Sequence, residues 1–325
     1  MTSLKLGTRG SQLAFWQATT VASLLKVQAR VECEIVVIKT SGDRLSEANL
    51  SAIGGKRLFV KEIEDALLAG AVDLAVHSSK DMPAVLPEGL AIGAALPRED
   101  PRDVVILPQR TARSIDTVEA LIAHLGRGPK IGTSSVRRVA QLTRLCPGAT
   151  FEAIRGNLDT RLRKLDAGDY DAIVLAAAGM RRLGFAERIS ASLPVTACLP
   201  APGQGIVAVE IRGDDDRVRH LVATIDDRAA AAALAAERAV VTTLGGGCQM
   251  PVGAYAEPLD GDLLALHGLV VSLDGARAVR AEERGAVADA PALGSRVGQT
   301  LIREGAMDIL DEVLRAQAAT REIRP

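Results

Sequence analysis

Cys248 follows three glycines in LGGGCQMPVG, and a thiol on so pliable a backbone is placed to reach rather than to pack. At neutral pH a free thiol is only a few per cent thiolate, which suffices for one slow alkylation lasting the life of the protein. The nearest histidines in sequence are His220 and His267, so no base is obviously paired with it and a thiol hydrolase is a weak reading. From the residues alone Cys248 reads either as a covalent tether or as a buried structural thiol. Cys33, Cys146 and Cys198 read as buried structural thiols.

Basic residues recur in one context. Arg9 follows the first apolar run and precedes a helix opening near Ser11. Lys80 and Asp81 lie in the turn HSSKDMP after VDLAVH, and Thr133, Ser134 and Ser135 open a helix carrying Arg137 and Arg138. Arg155 precedes a helix with Arg161, and Arg182 follows DAIVLAA and its AAAG turn. Each sits at the carboxyl end of a predicted strand or the start of the next helix, where open α/β sheets bind ligands. Helix N-termini there offer free N–H groups to anions. Singly, each arginine also fits a solvated surface. Together they imply a small ligand with several negative groups. Asp81 is the exception, an acid among cations. It reads as an ion-paired turn residue or helix cap, or as a carboxylate that stabilises a developing cation or shuttles protons. SAIGGKRLFVKE lacks the spacing of a nucleotide-binding loop and reads as a basic flap.

The elements that must position these groups alternate. LKLG, a helix from about Ser11 and CEIVVI form one β-α-β stretch, and the theme repeats through DAIVLAA at 171–177. This predicts largely parallel sheets of the α/β class. PAPGQG at 200–205 punctuates the chain before GIVAVEIR. From about 226 the style changes: a long alanine-rich helix with Asp227 as N-cap and Gly245 just past its end, two hairpin-like strands, and one terminal helix over about 292–318. The expected units are 1–98 with 203–222, 99–202, and a smaller α+β unit at 223–325.

Composition narrows the partners. The 325 residues carry 39 Lys+Arg against 40 Asp+Glu, with four Phe, two Tyr and one Trp. That balance points away from nucleic acid and from an anionic membrane. No secretory signal or membrane-length apolar run is read, and the scattered cysteines predict neither a metal site nor disulfides. A cytoplasmic location is expected.

The motifs TRGSQLAFWQ, GGKRLFVKE, AVHSSKDMP, REDPRDV, GTSSVRR, RGNLDTRLRKLD, AAAGMRRLG, LPAPGQG and ERAVVTTLGGGCQMPVGAYA occur in order along nearly the whole chain. In them the chain resembles the porphobilinogen deaminase (hydroxymethylbilane synthase) family. The resemblance implies a dipyrromethane cofactor held by a thioether to Cys248. Four porphobilinogens would add to it head to tail, each losing ammonia, before hydrolysis releases 1-hydroxymethylbilane for haem biosynthesis. By motif position Asp81 resembles the catalytic carboxylate that stabilises the azafulvene cation. Lys80, Thr133, Ser135, Arg137 and Arg138 resemble ligands of the cofactor's carboxylates. Arg9, Ser11, Arg155, Arg161, Arg182, Lys56, Phe59 and Gln204 resemble substrate-binding residues, with Lys56 and Phe59 in the flap and Gln204 in the hinge. The implied fold is two lobes like periplasmic anion-binding proteins, joined by a hinge, plus the third domain with the cysteine. A monomer is implied, with uroporphyrinogen III synthase as a candidate recipient of product. Arg57, Ala52 and Gly245 depart from residues common in the family. The alternative is a small-anion binding protein on the same two-lobed scaffold, which leaves Asp81, the thiol loop and the third domain unused.

Overall fold

The computed structural model describes residues 3–41, 60–246 and 250–322. Its first sheet is built from β1 (Leu4–Thr8), β2 (Cys33–Val37), β3 (Leu74–Ser78), β4 (Leu90–Ala95) and β10 (Val207–Arg212), in the order β2-β1-β3-β10-β4. The central strands are near-continuous apolar runs because both faces are covered. Ala18, Val21 and Leu25 of α1 (Gln12–Gln28) and Val218 and Val222 of α7 (Asp216–Ala223) cover one face. Ile63 and Leu67 of α2 (Lys61–Leu68) cover the other.

The second sheet repeats the plan with β5 (Asp103–Ile106), β6 (Lys130–Gly132), β7 (Thr150–Glu152), β8 (Ala172–Ala176) and β9 (Ala191–Ser192), in the order β7-β6-β8-β5-β9. Helices α3 (Val118–Leu125) and α4 (Val136–Leu145) pack Leu121 and Leu142 on one face. Helices α5 (Leu158–Asp166) and α6 (Ala177–Arg182) pack Leu165 and Met180 on the other. In each sheet one strand runs against its neighbours, and it is the strand that has just crossed from the other lobe: β5 entering the second sheet, β10 returning to the first. Because β10 and β5 are reversed, both crossings lie at the carboxyl ends of the parallel strands, with Val207 opposite Ser78 and Asp103 opposite Ala176.

The last unit has an antiparallel sheet of β11 (Val252–Leu259), β12 (Leu263–Val271) and β13 (Ala278–Ala286). One face packs on α8 (Arg228–Thr243), α9 (Ala290–Arg303) and α10 (Ala306–Glu322). The opposite face, through Leu269, Val271 and Tyr255, packs on Ala140 of α4 and on Leu199. The sheet is thus pinned between its own helices and the second lobe. Asp227 caps α8 by accepting from Ala230 N at 2.7 Å, and Gly245 follows its end at φ 85°, as the sequence predicts. Two α/β lobes and an α+β unit match the expected class. The details differ: the expected terminal helix is two helices broken at Gly305 (φ 91°), the AAAG turn is helix α6, and α7, β9 and β11 have no sequence expectation.

Candidate functional site

β3 delivers its chain into a 3-10 turn, Ser79–Asp81, which is clamped to the returning hinge segment. Ser79 N and Oγ both donate to Ile206 O, at 3.1 and 3.0 Å. The clamp fixes Lys80 and Asp81 beside the hinge, Lys80 half-buried and Asp81 exposed. Lys80 Nζ approaches Gln204 Oε1 at 3.5 Å. Although part of the side chain stays open, protein packed round the ammonium strips its solvation. That burial, with the nearby Arg138 charge, pulls Lys80 down to about 8.

β6 delivers the second group. Ser135 caps α4 by accepting from Arg138 N at 3.4 Å, and Thr133 Oγ1 accepts from Ser135 N at 3.3 Å. The cap starts α4 so that Arg137 and Arg138 fall in its first turn, and both turn inward to Asp103 at the start of β5. Asp103 is fully buried. It accepts from Arg137 Nη1 at 2.7 Å, from Arg138 Nε and Nη2 at 2.9 and 2.7 Å, and from Gln204 Nε2 at 2.9 Å. Burial alone would raise the Asp103 carboxyl, but the two guanidiniums outweigh it and hold the group well below the usual carboxylate range. Cys198 Sγ donates to the same carboxylate at 3.3 Å, and burial first, then Asp103, pushes that thiol up to about 12. The thiol is inert.

Asp103 went unread in the sequence. Its signal was present: an acid opening the apolar strand VVIL, with REDPR before it. The sequence also treated Arg137 and Arg138 only as ligands of an anion, whereas their first partner is this internal carboxylate. Gln204, expected to meet substrate, is buried here and donates to Asp103 at 2.9 Å and to Pro101 O at 2.6 Å. It forms the link between Lys80 on the first lobe and Asp103 on the second.

Arg161 joins this group from α5. Its Nε donates to Gly156 O at 2.8 Å, and burial followed by the Arg138 charge lowers its pKa, with Asp81 opposing. The structure therefore brings Lys80, Asp81, Arg137, Arg138, Arg161 and Gln204 together across the two lobes. Arg182 lies elsewhere on the hinge, donating from Nη2 to Gly205 O at 2.6 Å. Ser11 is the N-cap of α1, accepting from Ala14 N at 3.2 Å, just after Arg9 at the end of β1. Arg155 follows β7. Lys56, Phe59 and Cys248 lie outside the described residues.

Among the described residues, neither Lys80 nor Arg161 has an ion pair, and no cluster could hold a metal. Arg137 Nε is buried without a hydrogen-bond partner. Strand-end cations gathered from both lobes, two of them without an ion pair, and an orphaned guanidinium N–H suit a ligand carrying several carboxylates, which is the chemistry of a dipyrromethane built from acetate- and propionate-bearing pyrroles.

Fold and site together define a two-lobed α/β protein with strand-end cations gathered where the lobes meet and the exposed acid Asp81 beside them. Residues 4–220 match the family description "Porphobilinogen deaminase, dipyromethane cofactor binding domain", and residues 231–303 match "Porphobilinogen deaminase, C-terminal domain". The porphobilinogen deaminase of Syntrophobacter fumaroxidans is 47% identical over 314 residues, covering 96% of this chain and 98% of that one. That of Geobacter metallireducens is 43% identical over 323 residues, covering 99% and 98%. Among solved structures, the Bordetella pertussis BvgS VFT2 domain (double mutant F375E/Q461E) is 18% identical with a TM-score of 0.41, over 69% of this chain and 86% of that one. The chain belongs to the porphobilinogen deaminase family. The small-anion binding alternative is not favoured, because the family match continues through the third unit that it leaves unused. No helix among the described residues is long and apolar enough to cross a membrane.

Proposed function

We propose that this chain is a hydroxymethylbilane synthase, a transferase that joins four porphobilinogens head to tail with loss of ammonia and hydrolyses the product free. The observation that carries the reading is the cross-lobe group of Lys80, Arg137, Arg138 and Arg161, with the exposed carboxylate of Asp81 in electrostatic reach of Lys80 and Arg161. When bound through Cys248, the dipyrromethane supplies the primer to which substrate units are joined. Lys80, Thr133, Ser135, Arg137 and Arg138 would hold its carboxylates, and Asp103 keeps the two arginines in place from behind. Arg9, Ser11, Arg155, Arg161 and Arg182, with Lys56 and Phe59, would bind the substrate. Gln204 acts through the hinge.

Asp81 performs the step the cations cannot. Loss of ammonia from an aminomethyl pyrrole leaves a cation, and an exposed carboxylate beside bound substrate stabilises it and can accept the pyrrole N–H at Oδ1 or Oδ2. We divide the chain into a first domain of 1–98 with 203–222, a second of 99–202 and a third of 223–325. Each of the first two owns a sheet, which supports this division. We place the protein in the cytoplasm as a monomer that passes its product to uroporphyrinogen III synthase. The free thiols of Cys33, Cys146 and Cys198 accord with a reducing compartment.

The test is Asp81→Asn. The variant is expected to carry the adduct on Cys248, since the anion sites are intact, while turnover falls by roughly a hundredfold or more, the span of a general acid–base group. Near-normal turnover would remove Asp81 from this role.

A further inference from the structure

Helix α6 ends in two adjacent arginines with opposite surroundings. Arg181 is ion-paired with Asp100 at 3.0 Å. Arg182 is less exposed, yet no carboxylate lies within ion-pair distance of it among the described residues. Its direct contacts are neutral, the Gly205 carbonyl of the hinge and the face of Trp16, whose ring centroid is 5.6 Å from the guanidinium carbon, while Glu99 acts on it only from beyond ion-pair distance. Three other arginines near the lobe boundary have acids: Arg98 has Glu237, and Arg137 and Arg138 have Asp103. A carbonyl and an aromatic face orient a guanidinium without neutralising it. The charge remains for an anion to use.

Trp16 belongs to α1 of the first lobe and Arg182 to α6 of the second. The seat therefore exists only while α1 and α6 are apposed, as they are where Leu13 Cδ2 lies 3.8 Å from a Cβ built at Gly179. Trp16 keeps 37% of its surface open, so its indole is not spent on the core.

We infer that Trp16 is a positioning residue of the reaction, seating the Arg182 guanidinium across the lobe boundary for a carboxylate of the incoming pyrrole. This rests on the proposed deaminase activity and adds a residue to it. Trp16 acts through Arg182 and through the apposition of the lobes, so its loss weakens substrate capture rather than chemistry.

The experiment is steady-state kinetics of the holoenzyme with porphobilinogen, comparing the parent chain with Trp16→Phe and Trp16→Leu. Trp16→Leu is expected to raise KM about three- to tenfold, the range open to a partly buried cation–π contact, with kcat changed less than about twofold. Trp16→Phe restores most of KM because it restores a ring face. In an Arg182→Gln background the same two substitutions should leave KM where that background puts it. Equal KM for the Leu variant and the parent, equal effects of Phe and Leu, or a Trp16 effect that persists without Arg182 would overturn the inference. A parent holoenzyme that turns over no porphobilinogen would instead overturn the deaminase reading beneath it. Trp16 is the single tryptophan of the chain, so its emission is a second readout that does not depend on turnover. Porphobilinogen is expected to change it in the parent but not in Arg182→Gln; an identical response in both contradicts the seat.

Discussion

Asp103 is the acceptor that Arg137 and Arg138 share. It is buried, and two guanidiniums and the Gln204 amide converge on its two oxygens. A buried pair of this kind contributes little net stability against an apolar replacement, but removing one partner strands the other charges. Asp103→Asn is therefore expected to destabilise the protein by about 3–5 kcal/mol in denaturant unfolding; a loss below about 1 kcal/mol would deny it that place. Lys80 supplies a pH test. Its native pKa is about 8, below the ordinary lysine value of about 10.4. Between those limits the unfolded chain binds the extra proton, so this group's contribution to stability rises with pH there. The same deprotonation removes a charge from the site. Porphobilinogen affinity of the Cys248→Ser chain, which cannot be alkylated, is expected to weaken as pH passes about 8. Lys80→Arg should flatten that dependence because a guanidinium stays charged. Calorimetry across this range checks it, and an affinity insensitive to pH in both chains refutes it. Strand-end cations are legible in sequence from residue type and position. Their partners are not: Arg137 and Arg138 lie 34 and 35 residues from Asp103, and nothing local joins them.

At the scale of elements, helix α8 precedes Cys248 in the sequence and packs closely against α9. Gly294 and Gly298 of α9 let the two backbones approach closely. A Cβ on Gly294 would lie 2.1 Å from Ala236 O, and one on Gly298 would lie 2.6 Å from Thr243 Cβ. Gly294→Val is expected to push the helices apart at a cost of about 1–3 kcal/mol, the usual penalty of overpacking, read as a lowered denaturant midpoint. An unchanged midpoint would show that the contact is soft. Most elements around the site are legible from periodicity, including α4, which forms over VRRVAQLTRL as the pattern predicts. Helix α6 was not, because six residues of an alanine-rich stretch after a strand have no helical period to display. The break at Gly305 was missed for a related reason: a lone glycine in an amphipathic run is often tolerated, and only its φ of 91° reveals the turn.

Across the whole molecule, the hinge is where three units meet. Arg98, on the first crossing, pairs with buried Glu237 of α8 at 2.5 Å and donates from Nε to Gln204 O at 2.9 Å. Glu237 also accepts from Gly203 N at 2.6 Å and Ala256 N at 2.8 Å, tying the second crossing and β11 to the same carboxylate. The crossings touch so closely that a Cβ on Gly205, at φ 92°, would lie 2.3 Å from Glu99 O. The unit bearing the thiol loop is thus anchored at the seam from which both lobes present their cations. The alternating elements foretell two lobes and a third unit. The sheet order does not follow from them, because placing β10 between β3 and β4 is a contact made more than a hundred residues later.

The activity proposed for this chain depends on a pyrrole primer attached to Cys248. Intact-mass measurement of protein purified from a host that makes haem, paired with an aldehyde colour test for pyrroles, addresses it most directly. The expected result is a chain heavier by two condensed porphobilinogen units, a positive colour reaction, and loss of both in Cys248→Ser. An unmodified parent chain, or an adduct that survives in Cys248→Ser, would contradict it.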